Sequence, residues 1–322
     1  MENKKHSKKH HYLPIFYLKG FADDNQQLFI YDKIRNEILE GQNPSSKFYE
    51  KHLNNFRADG KVLFSFEETI FTPSDTRVSP LFSRFRNTTN YEFSAYDKVE
   101  LLHFLSQLYW RSPETNEKYI ELIKKDGFSN NYFRITKAGE TVKDEEIPEI
   151  IDKILNDTET QKMFKHTIPL TNGSVEELQR LAEKWKVIDL STEQATFITG
   201  DNSFLINNKN FRIDNVFEEL IFPLSKNKVL ILSEKSPSFF DSIALANINV
   251  LILHQSKRFI ASESRNQLET VIENYNNFKN LNLLEQMHAG TFGIMHMQSQ
   301  FKNFEDYLKH YHELKSKQRA SH

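Results

Sequence analysis

Leu220-Ile221-Phe222-Pro223-Leu224-Ser225-Lys226-Asn227-Lys228-Val229-Leu230-Ile231-Leu232 is the stretch on which the fold reading turns. Two short β-rich runs, Leu220 to Pro223 and Val229 to Leu232, flank the polar tetrad Ser225 to Lys228, which has the character of a hairpin turn. Just upstream, Val187 to Leu190, Ala195 to Thr199 and Ser203 to Ile206 carry the same period-two pattern, and Gly200-Asp201-Asn202 reads as a second tight connection. On either side of this block the pattern is helical. Helices are expected from about Ser242 to Ile260 and from about Arg265 to Phe278. The combination predicts an α+β fold: a mainly helical single domain with a small antiparallel or mixed sheet in its C-terminal half.

Working toward the N-terminus, Ser174 with Glu177 forms a capping box for a helix over Val175 to Trp185. Further helices are expected over Pro148 to Leu155 and Thr158 to His166. Ser94 with Asp97 starts a helix whose run from Tyr96 to Trp110 is apolar on more than one face, marking it as central. Ser112-Pro113 restarts a helix through Tyr119, Leu122 and Ile123 that stops at Asp126-Gly127. Lys61 to Phe66 and Gln27 to Asp32 read as strands, with a polar segment between them. A short buried helix follows Tyr12 and Pro14. Residues 1–11, rich in Lys and His, predict a disordered basic leader, 12–280 one domain, and 281–322 a helical extension containing a helix from Phe304 to Lys317.

The composition excludes more than it suggests. A net charge of −2 argues against nucleic-acid binding by gross charge, although a local basic patch can supply it. Without cysteine there is no disulfide, no Cys-ligated zinc, no iron–sulfur cluster and no thiol nucleophile. No apolar run reaches the ~18 residues of a membrane span, so no membrane partner is expected and the cytoplasm is the expected location. The excess of Lys over Arg points to AT-rich coding and hence to a low-GC bacterium. With nine glycines and no phosphate-binding glycine loop, H-E-x-x-H pair or G-x-S-x-G elbow, kinases, common dehydrogenases, zinc proteases and α/β-hydrolases are disfavoured.

Four features remain that could carry chemistry. His10-His11, at the junction of leader and buried helix, could ligate a metal or serve as acid and base near neutral pH, or could simply belong to a solvated basic leader. Thr199-Gly200-Asp201-Asn202-Ser203 offers a carboxylate and an amide at the end of a sheet, although Gly, Asp and Asn are also what a turn needs. Arg111 at the junction of two helices, and Arg258 on the apolar helix Asn249 to Phe259, each need a carboxylate or a bound anion if buried. Glu67-Glu68 could add a carboxylate, with a surface charge pair as the commoner outcome. His288, Met295, His296 and Met297 lack a fixed ligand spacing and read as packing and surface residues.

Taken in order, these segments resemble the bacterial family domain of unknown function 4238. His10-His11-Tyr12-Leu13-Pro14-Ile15-Phe16-Tyr17-Leu18-Lys19-Gly20-Phe21 is similar to its opening His-His-Tyr-Val-Pro-x-Phe-Tyr-Leu-x-x-Phe. Tyr31-Asp32-Lys33 continues the likeness. Gln107 to Pro113 resembles its Gln-x-x-x-Arg-Thr-Pro, Thr199 to Phe204 its Thr-Ser-Asp-Asn-Pro-Val, and Phe222-Pro223-Leu224-Ser225 its Phe-Pro-Leu-Ser. Gly200 replaces the family's Ser and Ser203 its Pro, which predicts a looser loop backbone. The resemblance implies weight for His10, His11, Arg111, Asp201 and Asn202, and no activity.

The expected function is phosphodiester or nucleotide hydrolysis in a His/Asp/Asn/Arg pocket, as in a nuclease-like effector. In that scheme His10 or His11 is acid/base or metal ligand, and Asp201 is a metal ligand or base. Asn202 positions, Arg111 clamps phosphate, and Arg258 assists ligand binding. Nucleic acid or a nucleotide is the expected partner, and a divalent cation such as Mg2+ or Mn2+, held by His11 and Asp201, is compatible with the scheme. The alternative is a non-catalytic ligand-sensing or protein-interaction domain, whose sign is a polar cluster paired internally.

Overall fold

In the computed structural model, residues 7–58, 61–88, 92–126, 136–137, 140–141, 144–171, 175–190, 196–208 and 217–320 are described. The fold is α+β, with antiparallel pairing throughout the described sheets. The chain divides into two compact units, each assembled from separate stretches. The first comprises Met1–Tyr17, Ser45–Ala182 and Asn208–Val216, and the second Leu18–Pro44, Glu183–Asn207 and Phe217–His322.

The first unit is mainly helical. Lys9–His11 is not a frayed leader but a strand, paired antiparallel with Tyr49–Lys51 so that His10 faces Glu50 in register. Asn55–Ala58 and Lys61–Ser65 form a second small pair. The helix Ala95–Arg111 begins as its sequence demands: the Ser94 side chain accepts from the Asp97 amide at 3.1 Å while Asp97 accepts from the Ser94 amide at 3.1 Å, so two orphan N–H groups are satisfied reciprocally. Phe104 on this helix meets Phe82 of the helix Thr72–Asn87 and Phe16 at centroid distances of 5.6 Å each. Phe82 and Phe104 are fully buried. Burial of that kind contributes about 1.5–3 kcal/mol per side chain, which holds the helices together. The helix Thr158–Thr171 packs on Ala95–Arg111 from another side.

Two four-stranded sheets occur in the second unit. One has the order Leu205–Ile206, Leu220–Ser225, Lys228–Leu232, Trp185–Asp189, and contains the expected hairpin, closed between Ser225 and Lys228. Its two central strands are buried on both faces, which is why they read as continuous apolar runs. Thr199–Gly200, Phe259–Ser262, Leu28–Asp32 and Glu37–Gln42 make the other. The sheet content is therefore not confined to the C-terminal half.

Thr199–Gly200 and Leu205–Ile206 lie in different sheets, so Gly200-Asp201-Asn202 is a crossing loop and not a hairpin turn. The helix expected to Ile260 ends at Gln255, and Arg258 lies in the connection to the strand Phe259–Ser262. Asp201 accounts for that break, as shown below. Likewise the helix expected to reach Trp185 ends at Glu183, and Trp185 starts a strand. Its proposed cap Ser174 lies outside the described residues. The stretch 281–322 is part of the second unit: Leu284–Gln298 buries Met287, Phe292 and Met295 and packs against the helix Ser242–Gln255. Among the described residues no helix is long and apolar enough to cross a membrane.

Candidate functional site

Of the six residues expected to form the site, His10, His11 and Arg111 belong to the first unit, and Asp201, Asn202 and Arg258 to the second. Asp201 is buried, and its Oδ2 accepts the backbone N–H groups of Arg258 and Phe259 at 2.7 Å each. Those amides lie just past the helix end at Gln255, so the carboxylate is engaged in fixing the turn. Asn202 Oδ1 accepts from the Phe204 amide at 3.3 Å, and its carbonyl accepts from Gln255 Nε2 at 2.8 Å. Arg258 lies over the Phe259 ring at 4.5 Å and reaches buried Asp32 at 3.4 Å, the ion-pair outcome.

The loop is tight, not loose. A Cβ at Gly200 would lie 2.2 Å from Ser256 Oγ and 3.2 Å from the Phe259 carbonyl oxygen. Gly200→Ser is therefore expected to cost about 1–3 kcal/mol as an overpacking change. Ser256→Gly in the same chain should return part of that loss in a denaturant double-mutant cycle. A neutral Gly200→Ser would show that the loop yields.

In the first unit the two adjacent imidazoles differ. His10 Nδ1 accepts the Asn54 amide at 2.9 Å, so Nε2 carries the proton that it donates to the Ser7 carbonyl at 2.9 Å. Both nitrogens of this fully buried ring are used, and neither is left for a metal or substrate. His11 is half-exposed and donates from Nε2 to the Ser45 carbonyl at 3.2 Å, which leaves Nδ1 as the basic nitrogen. Burial pushes the His11 imidazole below its ordinary value, with the Ser45 carbonyl and the Glu67 charge pulling back.

Arg111 ends the central helix and is 1% exposed. Its Nη1 donates to both oxygens of Asp75 at 3.1 and 3.2 Å, and its Nε to the Tyr12 carbonyl at 3.2 Å. Phe71 and Phe104 lie 5.5 and 5.9 Å from the guanidinium carbon. Nη2 has no partner, nor do the buried Oε1 of Gln107, one helical turn back on the same face, and Oγ of Ser74. Burial pushes the Asp75 carboxyl above its ordinary value; Arg111 draws it down, and the Glu67 charge adds to the rise. Glu67 accepts from Asn54 Nδ2 at 2.7 Å and begins a π-helical turn, Glu67–Phe71, that runs directly into the helix carrying Asp75. Such turns are rare and recur at functional sites.

His11, Glu67, Asp75, Gln107 and Arg111 thus form the candidate site. The sequence reading missed Asp75 and Gln107 as functional groups. The signal for Asp75 was present: Thr72-Pro73-Ser74-Asp75 places Pro in the first helical turn with an acid behind it, although Pro80 within the same helix masks the period. Among the described residues no three His, Asp or Glu side chains gather as a metal-ligand set.

An α+β chain with a buried arginine–carboxylate pair beside a half-buried imidazole is the class that fold and site define. The chain belongs to the family described as Protein of unknown function (DUF4238), whose family model matches residues 9–266, most of its length. That span contains every member of the candidate site. No curated protein matches the chain, and no solved structure does.

Proposed function

We propose that the chain hydrolyses a phosphodiester or nucleotide with His11 as acid and base, Arg111 as the anion clamp and Asp75 as the carboxylate that positions it. The observation that carries this reading is the Arg111 guanidinium, fixed by Asp75 on one arm and left with an unpartnered Nη2 on the other. A buried donor without a partner is costly, and a phosphate oxygen satisfies it. In the step, His11 Nδ1 takes a proton from the attacking water and returns it to the leaving oxygen as the P–O bond breaks, while the Asp75 carboxylate holds the guanidinium in place. Arg111 meets the charge that develops on the phosphoryl oxygens. Burial that lowers the His11 imidazole favours the neutral ring that can accept this proton. A divalent cation such as Mg2+ or Mn2+ is compatible with the scheme and not needed by the imidazole. A cytoplasmic location in a bacterium is part of the same proposal.

The test is turnover of single-stranded DNA, RNA and nucleotides, with and without Mg2+ or Mn2+. His11→Gln is expected to reduce kcat by about 10²–10⁴-fold and Asp75→Asn comparably, with both variants folded by circular dichroism. Wild type should lose activity as pH falls through the His11 titration, and that acid limb should be absent in His11→Gln. No turnover by wild type, or equal turnover by the variants, overturns the proposal.

The non-catalytic alternative rests on a separate observation. A cleft of about 330 Å3 in the second unit is lined mostly by neutral hydrogen-bonding groups, among them Ser242, Asn249, Asn266, Gln267 and Thr270, with the Glu263 carboxylate, already paired to Lys226, and the apolar Leu245 and Val271 beside them. That chemistry suits a neutral, hydroxyl-rich ligand. Saturable binding of such a ligand by a chain that hydrolyses nothing would favour it.

A further inference from the structure

Thr158–Thr171 is amphipathic, yet it carries Lys165 and His166 on its inward side, 4% and 1% exposed. Lys and His are seldom buried there without a task. Both line a small cleft in the first unit together with Tyr119, Asn116, Gln161 and Lys162. Its volume of about 60 Å3 accommodates a few waters or one small polyatomic ion.

The hydrogen bonding around this cleft is incomplete. Lys165 Nζ donates to the Ser112 carbonyl at 2.9 Å and to Asn116 Oδ1, which uses two of its three N–H groups. Tyr119 is 1% exposed, and its hydroxyl has no partner. His166 packs edge-on against Phe66 and Phe71 at 5.1 and 5.3 Å, and its Nδ1 is also unpartnered. Three polar groups, all more than nine-tenths buried, therefore border one cavity with hydrogen-bonding capacity to spare. Each such vacancy is costly unless something fills it. A spare ammonium N–H, a phenol and an imidazole ask for an acceptor-rich anion more than for an apolar guest. Lys162, which donates to Glu159 at 2.7 Å and to the Asn55 carbonyl at 3.0 Å, adds positive charge at the rim.

We propose that the Lys165–His166–Tyr119 cleft binds a tetrahedral oxyanion of the phosphate class. The anion accepts hydrogen bonds from the third N–H of Lys165 and from the Tyr119 hydroxyl, with the imidazole of His166 as a further donor. Burial pushes the Lys165 ammonium down to about 7, and an anion in contact restores its charge. Glu50 and Glu114 are the acids whose charges reach Lys165 and support that charged form. None of these side chains belongs to the His11–Asp75–Arg111 set, so the cleft stands whether or not that set performs a reaction.

The test uses inorganic phosphate and calorimetric titration of the full chain at constant ionic strength, with chloride as the control anion. Wild type is expected to bind phosphate saturably, and Tyr119→Phe to bind it about tenfold more weakly. Because Tyr119→Phe removes only an unpartnered hydroxyl, its stability without phosphate should equal or exceed that of wild type. A merely structural hydroxyl would instead lower stability and leave affinity unchanged. Lys165→Met should abolish binding. A nucleoside monophosphate titrated into both chains separates the sources: tighter binding than phosphate with the same Tyr119 dependence assigns the cleft to a terminal phosphate, and equal or weaker binding to the free ion. No saturable phosphate binding by wild type, or binding indifferent to Tyr119→Phe and Lys165→Met alike, overturns the proposal.

Discussion

Arg111→Met is expected to lower the unfolding free energy by about 3–5 kcal/mol, the usual cost of removing one partner from a buried ion pair. The guanidinium is 1% exposed and supports two partners at once, the Asp75 carboxylate and the Tyr12 carbonyl. Methionine keeps the bulk beside Phe71 and Phe104 but supplies no N–H to either acceptor. Asp75 is already pushed up by burial, and loss of Arg111 removes the charge that draws it down, so protonation becomes its escape. The destabilisation should therefore shrink as pH falls. A second substitution, Asp75→Leu, should recover much of the loss, because an apolar pair pays no desolvation cost. Denaturant unfolding of the single and double variants checks this. A cost below about 1 kcal/mol for Arg111→Met, independent of pH, would show that the pair contributes little.

Lys165 carries the second large effect. In the native chain burial holds its ammonium down at about 7, against 10.5 ordinarily. Between those two pH values the unfolded chain holds a proton that the native chain lacks, so stability rises with pH across that window. Below about 7 both states are protonated, and the native state bears the full cost of a buried charge. The slope from this one group approaches about 1.4 kcal/mol per pH unit. Subtracting the unfolding free energy of Lys165→Met from that of wild type at each pH isolates it from other titrating groups. The difference should climb from about pH 7 to pH 10 in phosphate-free buffer. A flat difference would mean that the ammonium is not desolvated.

Much of the fold was legible where local chemistry and burial agree. Ser94 and Asp97 announce the central helix, and the polar tetrad Ser225 to Lys228 interrupts two runs whose residues are buried on both faces. Glu37–Gln42 was not legible, because none of its residues is fully buried and it therefore shows no apolar alternation. The end of the helix at Gln255 was hidden for a different reason. Apolar residues resume at Phe259 after only three positions, and the break depends on Asp201, 57 residues before Arg258, supplying one carboxylate oxygen to two amides. The site divides along the same line. Arg111 was legible as a buried charge at a helix junction, but its partner was not, since an ion pair spanning 36 positions leaves no periodic trace. His10 and His11 look alike in sequence. Which ring keeps a free nitrogen is decided by the Asn54 amide and the Ser45 carbonyl, and neither could be inferred from spacing.

The pairing of Leu28–Asp32 with Phe259–Ser262 joins residues roughly 230 positions apart. On a ribosome adding about 5–20 residues per second, the early strand and its neighbour Glu37–Gln42 wait on the order of 10–50 s before the later partner has even been made. Through that interval Ile30 and the open edge beside it are exposed to any passing β-segment. Heterologous yield should therefore respond more to the pace of translation and to chaperone supply than to the stability of the finished molecule.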